Sequence, residues 1–333
     1  MVIKRLLNKD YKILSKYINK YYKKGHILSK NKKLFDWMYF DIKSKKYNFL
    51  VAKEKNKIIA TKGFQPLRLH DGKLDHESFM SMWSSSQPTV GIKLFDKLLN
   101  KKFKFICGIG SSKHSLKYQK YKKFSTGQMK HSYLLSKKIQ DYKIAKITKK
   151  KNTQKKDYFG KNYVTLDSNY LKKQNIHTLF KFQTPRKSLL YLINRYLNSK
   201  FYKYYAYGTL KKDKILNIII LRDCNYKNRI AVRVVDYIGS NYTFKYFDKL
   251  FKEILERRNV EYVDLYSYGI PEKEIVKSGF KVKNLNDKNI IPNHFEPFEK
   301  KNEQIIFGYL AKKMYKKKIR IFKGDSDMDR PNL

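Results

Sequence analysis

The sequence predicts an α/β (α+β) protein of two tandem domains, each a mixed, mostly antiparallel sheet flanked by helices. Three observations carry that prediction. Between residues 47 and 69, two apolar runs turn back on each other across a polar turn. From Glu77 to Phe124 the pattern reads strand, tight turn, helix, strand, helix. The second half then repeats this element order at an offset of 157 positions, with Tyr39 matching Tyr196 and Lys57 matching Lys214.

Taken in order, residues 8–24 carry Leu, Ile and Tyr at helical spacing among lysines and read as an amphipathic helix. Residues 34–40 read as a second helix, with Trp37 turned inward. Tyr47–Lys53 is a strand, Glu54–Lys57 a polar turn, Ile58–Leu69 a long returning strand, and Asp71-Gly72 the next hairpin. After the central stretch, Ser125–Leu135 reads as the strand that closes the first domain. Residues 146–157 contain almost nothing apolar. The boundaries drawn are therefore 1–145, a basic linker at 146–160, and 161–333. In the second half a strand (229–239), a helix (243–258), a strand (260–268) and a short helix ending at Gly279-Phe280 follow the repeat.

Length and composition limit the function classes. A chain of 333 residues accommodates two ordinary domains, and 41% hydrophobic with 15% aromatic residues is enough for packed cores. The net charge of +48 points to a polyanionic partner: nucleic acid, an anionic membrane face or a phosphorylated substrate. Of the 76 basic residues, however, 11 are arginine, the residue suited to bidentate phosphate and base recognition. The rest are lysines spread over the whole chain. Solvated lysine faces are the principal reading, and a nucleic-acid footprint is the lesser one. Cys107 and Cys224 lie in apolar runs and read as buried reduced thiols. No stretch resembles a signal peptide or approaches the roughly 18 apolar residues of a membrane span, so a soluble cytoplasmic protein is expected, with peripheral membrane contact open on charge alone.

The central turn is Gln87-Pro-Thr-Val-Gly91-Ile-Lys93, following the strand that ends in Ser84-Ser-Ser86. A strand feeding straight into a helix leaves unpaired N–H groups at the helix start, with the positive end of its dipole behind them. That is a natural seat for a phosphate. A plain helix N-terminus capped by Thr89 is the competing reading.

The element order and this turn resemble the GNAT N-acetyltransferase family over residues 30–135, and again more loosely over 190–310. In that family the fourth strand ends in Arg/Gln-x-x-Gly-x-Gly/Ala. Here Gln87 and Gly91 match, the second glycine is missing, and Pro88 removes one donor. The resemblance implies that Gln87, Val90, Gly91, Ile92 and Lys93 hold the pyrophosphate of acetyl-CoA or another acyl-CoA, bound as co-substrate. It places Met82 and Trp83 along the pantetheine arm, although Trp83 also fits a core position. It implies Tyr118 as the acid that protonates the leaving thiolate, with Tyr121 as rival because the Tyr-x-x-x-Gly-Phe ending of the family helix is here one residue longer. Glu77, near His76 and Asp75, is the candidate base or else a solvent-facing carboxylate. His114, which begins the second helix, reads as a surface or capping residue.

The equivalent turn of the second half, Gly239–Thr243, lacks the pattern and implies a degenerate domain kept as scaffold. Two further segments, Ile290–Phe298 and the tail Phe322–Asn332, look like parts of GNAT-like proteins of surface-polysaccharide synthesis. The substrate so implied is an amino sugar on a nucleotide or lipid carrier. The tail's alternating acids, Asp325, Asp327 and Asp329 before Arg330, lack the glycine and closing glutamate of a calcium loop. They are expected to pair with lysines or to complete a substrate cleft, and no metal site is expected. Two rivals stay open. One is a non-catalytic pair that binds a polyanion. The other is an aminoacyl-transferring tandem protein that would use a charged tRNA.

Overall fold

The computed structural model describes residues 1–72, 76–148, 159, 161–284, 286–313 and 318–330. The chain forms two compact units: Met1–Thr126 with Phe307–Tyr315 and Ser326–Leu333, and Gly127–Ile306 with Lys316–Asp325. This differs from the contiguous division at 145 and 161, because C-terminal segments return to the first unit. Most of the expected linker, 149–158 and 160, lies outside the described residues.

In the first unit the sheet runs Val2–Arg5, Phe49–Glu54, Lys57–Pro66, Glu77–Ser85, Phe105–Ile109, Ile306–Ala311, Ser125–Gln128. The first four strands are antiparallel neighbours, and Glu77–Ser85 runs parallel to Phe105–Ile109. A parallel pair needs a crossover, and the Pro88–Leu99 helix supplies it. Val90, Leu94, Phe95 and Leu98 of that helix pack on Leu50, Ala60, Phe64, Met80 and Ile106. The long N-terminal helix is two pieces, Tyr11–Tyr17 and a wider turn at Ile18–Tyr22. In the helix Lys32–Tyr39 the inward residues are Leu34, Phe35, Met38 and Tyr39, whereas Trp37 is half-buried against His70. The long strand stops at Pro66, which has no N–H for the ladder. The Asp71-Gly72 hairpin is instead the end of a short helix, Arg68–Asp71, capped by Gly72 at φ +80°.

The second unit's sheet runs Tyr163–Leu166, Tyr205–Lys211, Lys214–Tyr226, Arg229–Gly239, Val260–Tyr268, Lys130–Leu135, Lys281–Val282. Again one pair is parallel, Arg229–Gly239 with Val260–Tyr268. The repeat is visible in the turns. Lys55–Asn56 and Lys212–Asp213 both adopt the left-handed conformation of a two-residue hairpin, at φ +42°/+63° and +47°/+60°. Cys107 and Cys224 are buried and not joined in a disulfide.

One expected strand is two. Ser125–Gln128 belongs to the first sheet, while Lys130–Leu135 lies in the second, between Val260–Tyr268 and Lys281–Val282. The first sheet takes Ile306–Ala311 against Phe105–Ile109 instead. Five of the six residues in Lys130–Leu135 are buried, as fits an interior strand covered on both faces.

Candidate active site

The parallel pair of the first unit stays in register from Glu77↔Phe105 to Met80↔Gly108 and no further. Beyond Met80 the first strand continues to Ser85, held on its other side by Lys57–Pro66. The two parallel strands therefore part, leaving one edge of Ser81–Ser85 without a strand partner among the described residues. Within that stretch the register jumps from Gly63↔Ser81 to Lys62↔Trp83, so Met82 is the extra residue of a bulge. A bulge bends its strand and re-aims the side chains around it.

The turn after this edge is open. Ser86, Gln87, Pro88 and Thr89 are exposed, as are Ile92 and Lys93, whereas Val90 and Gly91 are buried. Gln87, not Thr89, is the N-cap residue, and its side chain makes no capping bond. Most amides of the turn are already used. Ser86 N–H donates to Ile59 O (2.9 Å), Gln87 N–H to Ser85 Oγ (3.1 Å), and Val90 and Gly91 N–H to Gln87 O (3.1 and 3.3 Å). The Thr89 N–H remains, beside the exposed Lys93. Gly91 is explained by packing: a Cβ there would lie 3.0 Å from Ser85 Cβ and 3.3 Å from Trp83 Nε1.

Trp83 donates from Nε1 to Gly91 O (3.1 Å) and packs at a tilt against the rings of Phe95 and Tyr118, so it is a half-buried core residue pinning helix to strand. The Tyr118 hydroxyl donates to Asp96 Oδ1 (2.9 Å); partial burial and that carboxylate raise its pKa. Tyr121 is exposed. Glu77 is buried at the paired end of its strand, roughly 16 Å along the backbone from Met82 at about 3.3 Å per residue. The structure thus gathers Met82, Trp83, Gln87, Val90, Gly91, Ile92 and Lys93 around one strand end. It leaves Glu77 apart from them and engages Tyr118 with Asp96. His114 is exposed in a helix capped by Ser112, whose Oγ accepts from Ser115 N–H (3.2 Å). Asp75 lies outside the described residues.

Several residues at this strand end carried no motif. Tyr39 donates its hydroxyl to Ser81 Oγ (2.8 Å). Ser326 Oγ donates to Met80 O (3.1 Å), where the ladder stops, and Met328 Sδ lies 3.1 Å from the position of a Cβ on Gly110. Asp327 pairs with Arg330, which also meets His26 Nε2 (3.1 Å). Burial and the nearby Arg330 push the His26 pKa down to about 3, so its ring is neutral. Lys62 is buried opposite Trp83. The one sequence signal for it is a lysine in the middle of an apolar central strand. Among the described residues no group of three or more His, Cys, Asp or Glu is placed to hold a metal. The tail acids do not converge: Asp325 is bound to Lys187 and Asp327 to Arg330.

No family model matches the sequence, and no curated protein matches it. Solved structures do match by shape. One is a GCN5-related N-acetyltransferase from Anabaena variabilis, with TM-score 0.55 and 11% identity, covering 92% of this chain and 72% of that one. Another is a conserved protein of unknown function from Enterococcus faecalis described as a probable N-acyltransferase, with TM-score 0.54 and 8% identity over 92% and 72%. At such identities the likeness is one of fold. Among the described residues no helix is long and apolar enough to cross a membrane. The parted parallel strands, the bulge and the strand-to-helix turn, together with these matches, make the chain by fold a pair of GNAT-like units.

Proposed function

We propose that the first unit is an acyl-CoA-dependent N-acyltransferase whose acceptor is an amino sugar, on a nucleotide or lipid carrier, destined for a bacterial surface polysaccharide. The observation that carries the transferase reading is the edge of Ser81–Ser85 freed where the ladder ends at Met80↔Gly108. Acetyl-CoA or another acyl-CoA would supply the activated thioester. The residues present fit such a molecule unevenly. Ser81–Ser85 offers main-chain donors and acceptors to the amides of a pantetheine arm. The turn offers a diphosphate one amide, Thr89 N–H, with the Lys93 ammonium and the helix dipole. The amino-sugar acceptor rests on the likeness of residues 290–298 and 322–332 to surface-polysaccharide proteins. The reading places the protein in the cytoplasm, where acyl-CoA is made.

Titration calorimetry with acetyl-CoA is the test. Binding by the wild type that weakens about tenfold in Lys93→Glu, roughly the worth of one 1.4 kcal/mol contact, is the expected result. No heat from the wild type sinks the reading. Gly91→Glu is a poor probe, because the added side chain would collide with Ser85 and Trp83.

A second reading, a non-catalytic unit that binds a polyanion, is favoured by a different feature. A cavity of about 480 Å³ in the first unit is lined by Arg5, Lys43, Arg68 and Lys101 around Asp41. DNA binding that falls steeply with salt, without any acetyl-CoA heat, would select it.

A further inference from the structure

Lys62 is the feature of this strand end that packing does not explain. It lies on the central strand Lys57–Pro66, directly opposite Trp83 and beside the Met82 bulge. It is only 4% exposed. Its ammonium sits 5.3 Å from the Trp83 ring centre and 5.4 Å from that of Phe95. Among the described residues it makes no hydrogen bond and no ion pair. The charged group that faces it is the Asp327 carboxylate of the C-terminal segment. Aromatic faces compensate a buried cation only in part. Burial accordingly lowers its pKa to about 7, against the weaker opposing pull of Asp327. A lysine in that state is about half free amine at neutral pH, so a substantial fraction is in the state a general base needs.

We propose that Lys62 is the proton acceptor of acyl transfer at this strand end. The proposal rests on the transferase reading above. As the acceptor's nitrogen attacks the acyl carbon, a C–N bond forms and the C–S bond breaks. The electron pair leaves on sulfur, and the proton shed by nitrogen passes to Lys62 Nζ.

Competitive labelling of the full chain with trace acetic anhydride across pH, read by peptide mass spectrometry, reports the ionisation of Lys62. The expected midpoint is near 7, well below the surface lysines at about 10.4. A midpoint shared with the surface lysines, or no labelling at any pH, overturns the proposal. Lys62→Arg keeps the charge but cannot give up its proton, and Lys62→Met keeps the volume. Thiol release from acetyl-CoA, with glucosamine as the amine probe, should fall about 100-fold or more in both variants while acetyl-CoA binding stays within about twofold. The wild-type rate should also show an acid limb near pH 7. Equal release by wild type and Lys62→Met, including none by either, overturns the base role. Absence of acetyl-CoA heat from the wild type fails the parent reading instead, and the labelling midpoint still decides the state of Lys62.

Discussion

Each unit buries a lysine beside the bulge of its fourth-strand equivalent, and the two are treated in opposite ways. In the second unit Asp236 pairs with Ile220 where the register jumps to Leu221↔Val234, leaving Val235 as the extra residue. Lys187 there reaches both Asp236 oxygens at 2.6 Å and Asp325 Oδ1 at 2.9 Å, and Tyr196 also donates to Asp236 (2.8 Å). Burial alone would lower its pKa, but the two carboxylates outweigh it and the net shift is upward. Lys62 is as buried, has no such partner, and shifts down. Burial sets the size of the stake; the partner decides its sign.

The strand openings differ in the same sense. In the second unit the parallel pair ends at Val234↔Leu265, and the chain's own tail fills the gap. Ile321–Phe322 pairs with Ser267 and Tyr268, Gly324 N–H donates to Val235 O (2.7 Å), and Arg320 Nη1 donates to Gly239 O (2.5 Å). In the first unit the tail reaches the opening through side chains, Ser326 on Met80 O and Met328 over Gly110. The second opening is thus stitched by main-chain bonds together with the Arg320 side chain, whereas the first is met by side chains of the tail.

Lys187→Met should leave Asp236 and Asp325 buried without their cation and cost about 3–5 kcal/mol in denaturant unfolding. A loss near zero would mean that the ion cluster is dispensable. Lys62→Met should do the reverse and stabilise the protein. The sign follows from linkage. The folded pKa lies near 7 and the unfolded one near 10.4, so between those values the unfolded chain holds more protons and stability rises with pH. The rise should amount to roughly 4 kcal/mol and vanish in Lys62→Met. Lys187, shifted upward, should add no pH dependence over that window.

Gly324→Ala tests the stitch itself. Its Cβ would fall 2.5 Å from Tyr196 Oη and 2.7 Å from Val235 O. A cost of about 1–3 kcal/mol is expected, with faster hydrogen exchange at the amide of position 324. Ser326→Ala removes a single side-chain bond to Met80 O and should cost about 1 kcal/mol or less. If Ser326→Ala proves the more damaging of the two, the contrast between stitched and open strands is wrong.

Much of the scaffold could be read from local patterns. The hairpin at Lys55–Asn56, the turn from Ser86 into the Pro88 helix and the repetition at Lys212–Asp213 are short-range features, set by residue types that tolerate left-handed backbone or begin helices. The neighbourhood of Met82 to Lys93 was legible for the same reason, since those residues are close in sequence. Glu77 is buried at the paired start of the same strand and not solvent-facing, a placement set by packing across the sheet and not by its position in the sequence. Trp83 and Gly91 could be recognised as important, but their reason, a mutual contact at 3.1 Å, depends on how the helix lies on the sheet.

Composition, periodicity and turn chemistry were enough to specify a duplicated α/β chain with a strand-to-helix turn in its first half, because those signals act within a few residues of one another. Which sheet Lys130–Leu135 joins, which strand takes the place beside Phe105–Ile109, and whether a buried lysine meets a carboxylate are settled by partners more than a hundred residues away. Long-range pairing follows from how the whole core closes, and no local pattern encodes it. The ionisation of Lys62 belongs to that second group: a strand lysine is ordinary until the fold takes it out of water with the Asp327 carboxylate pulling too weakly to offset the burial.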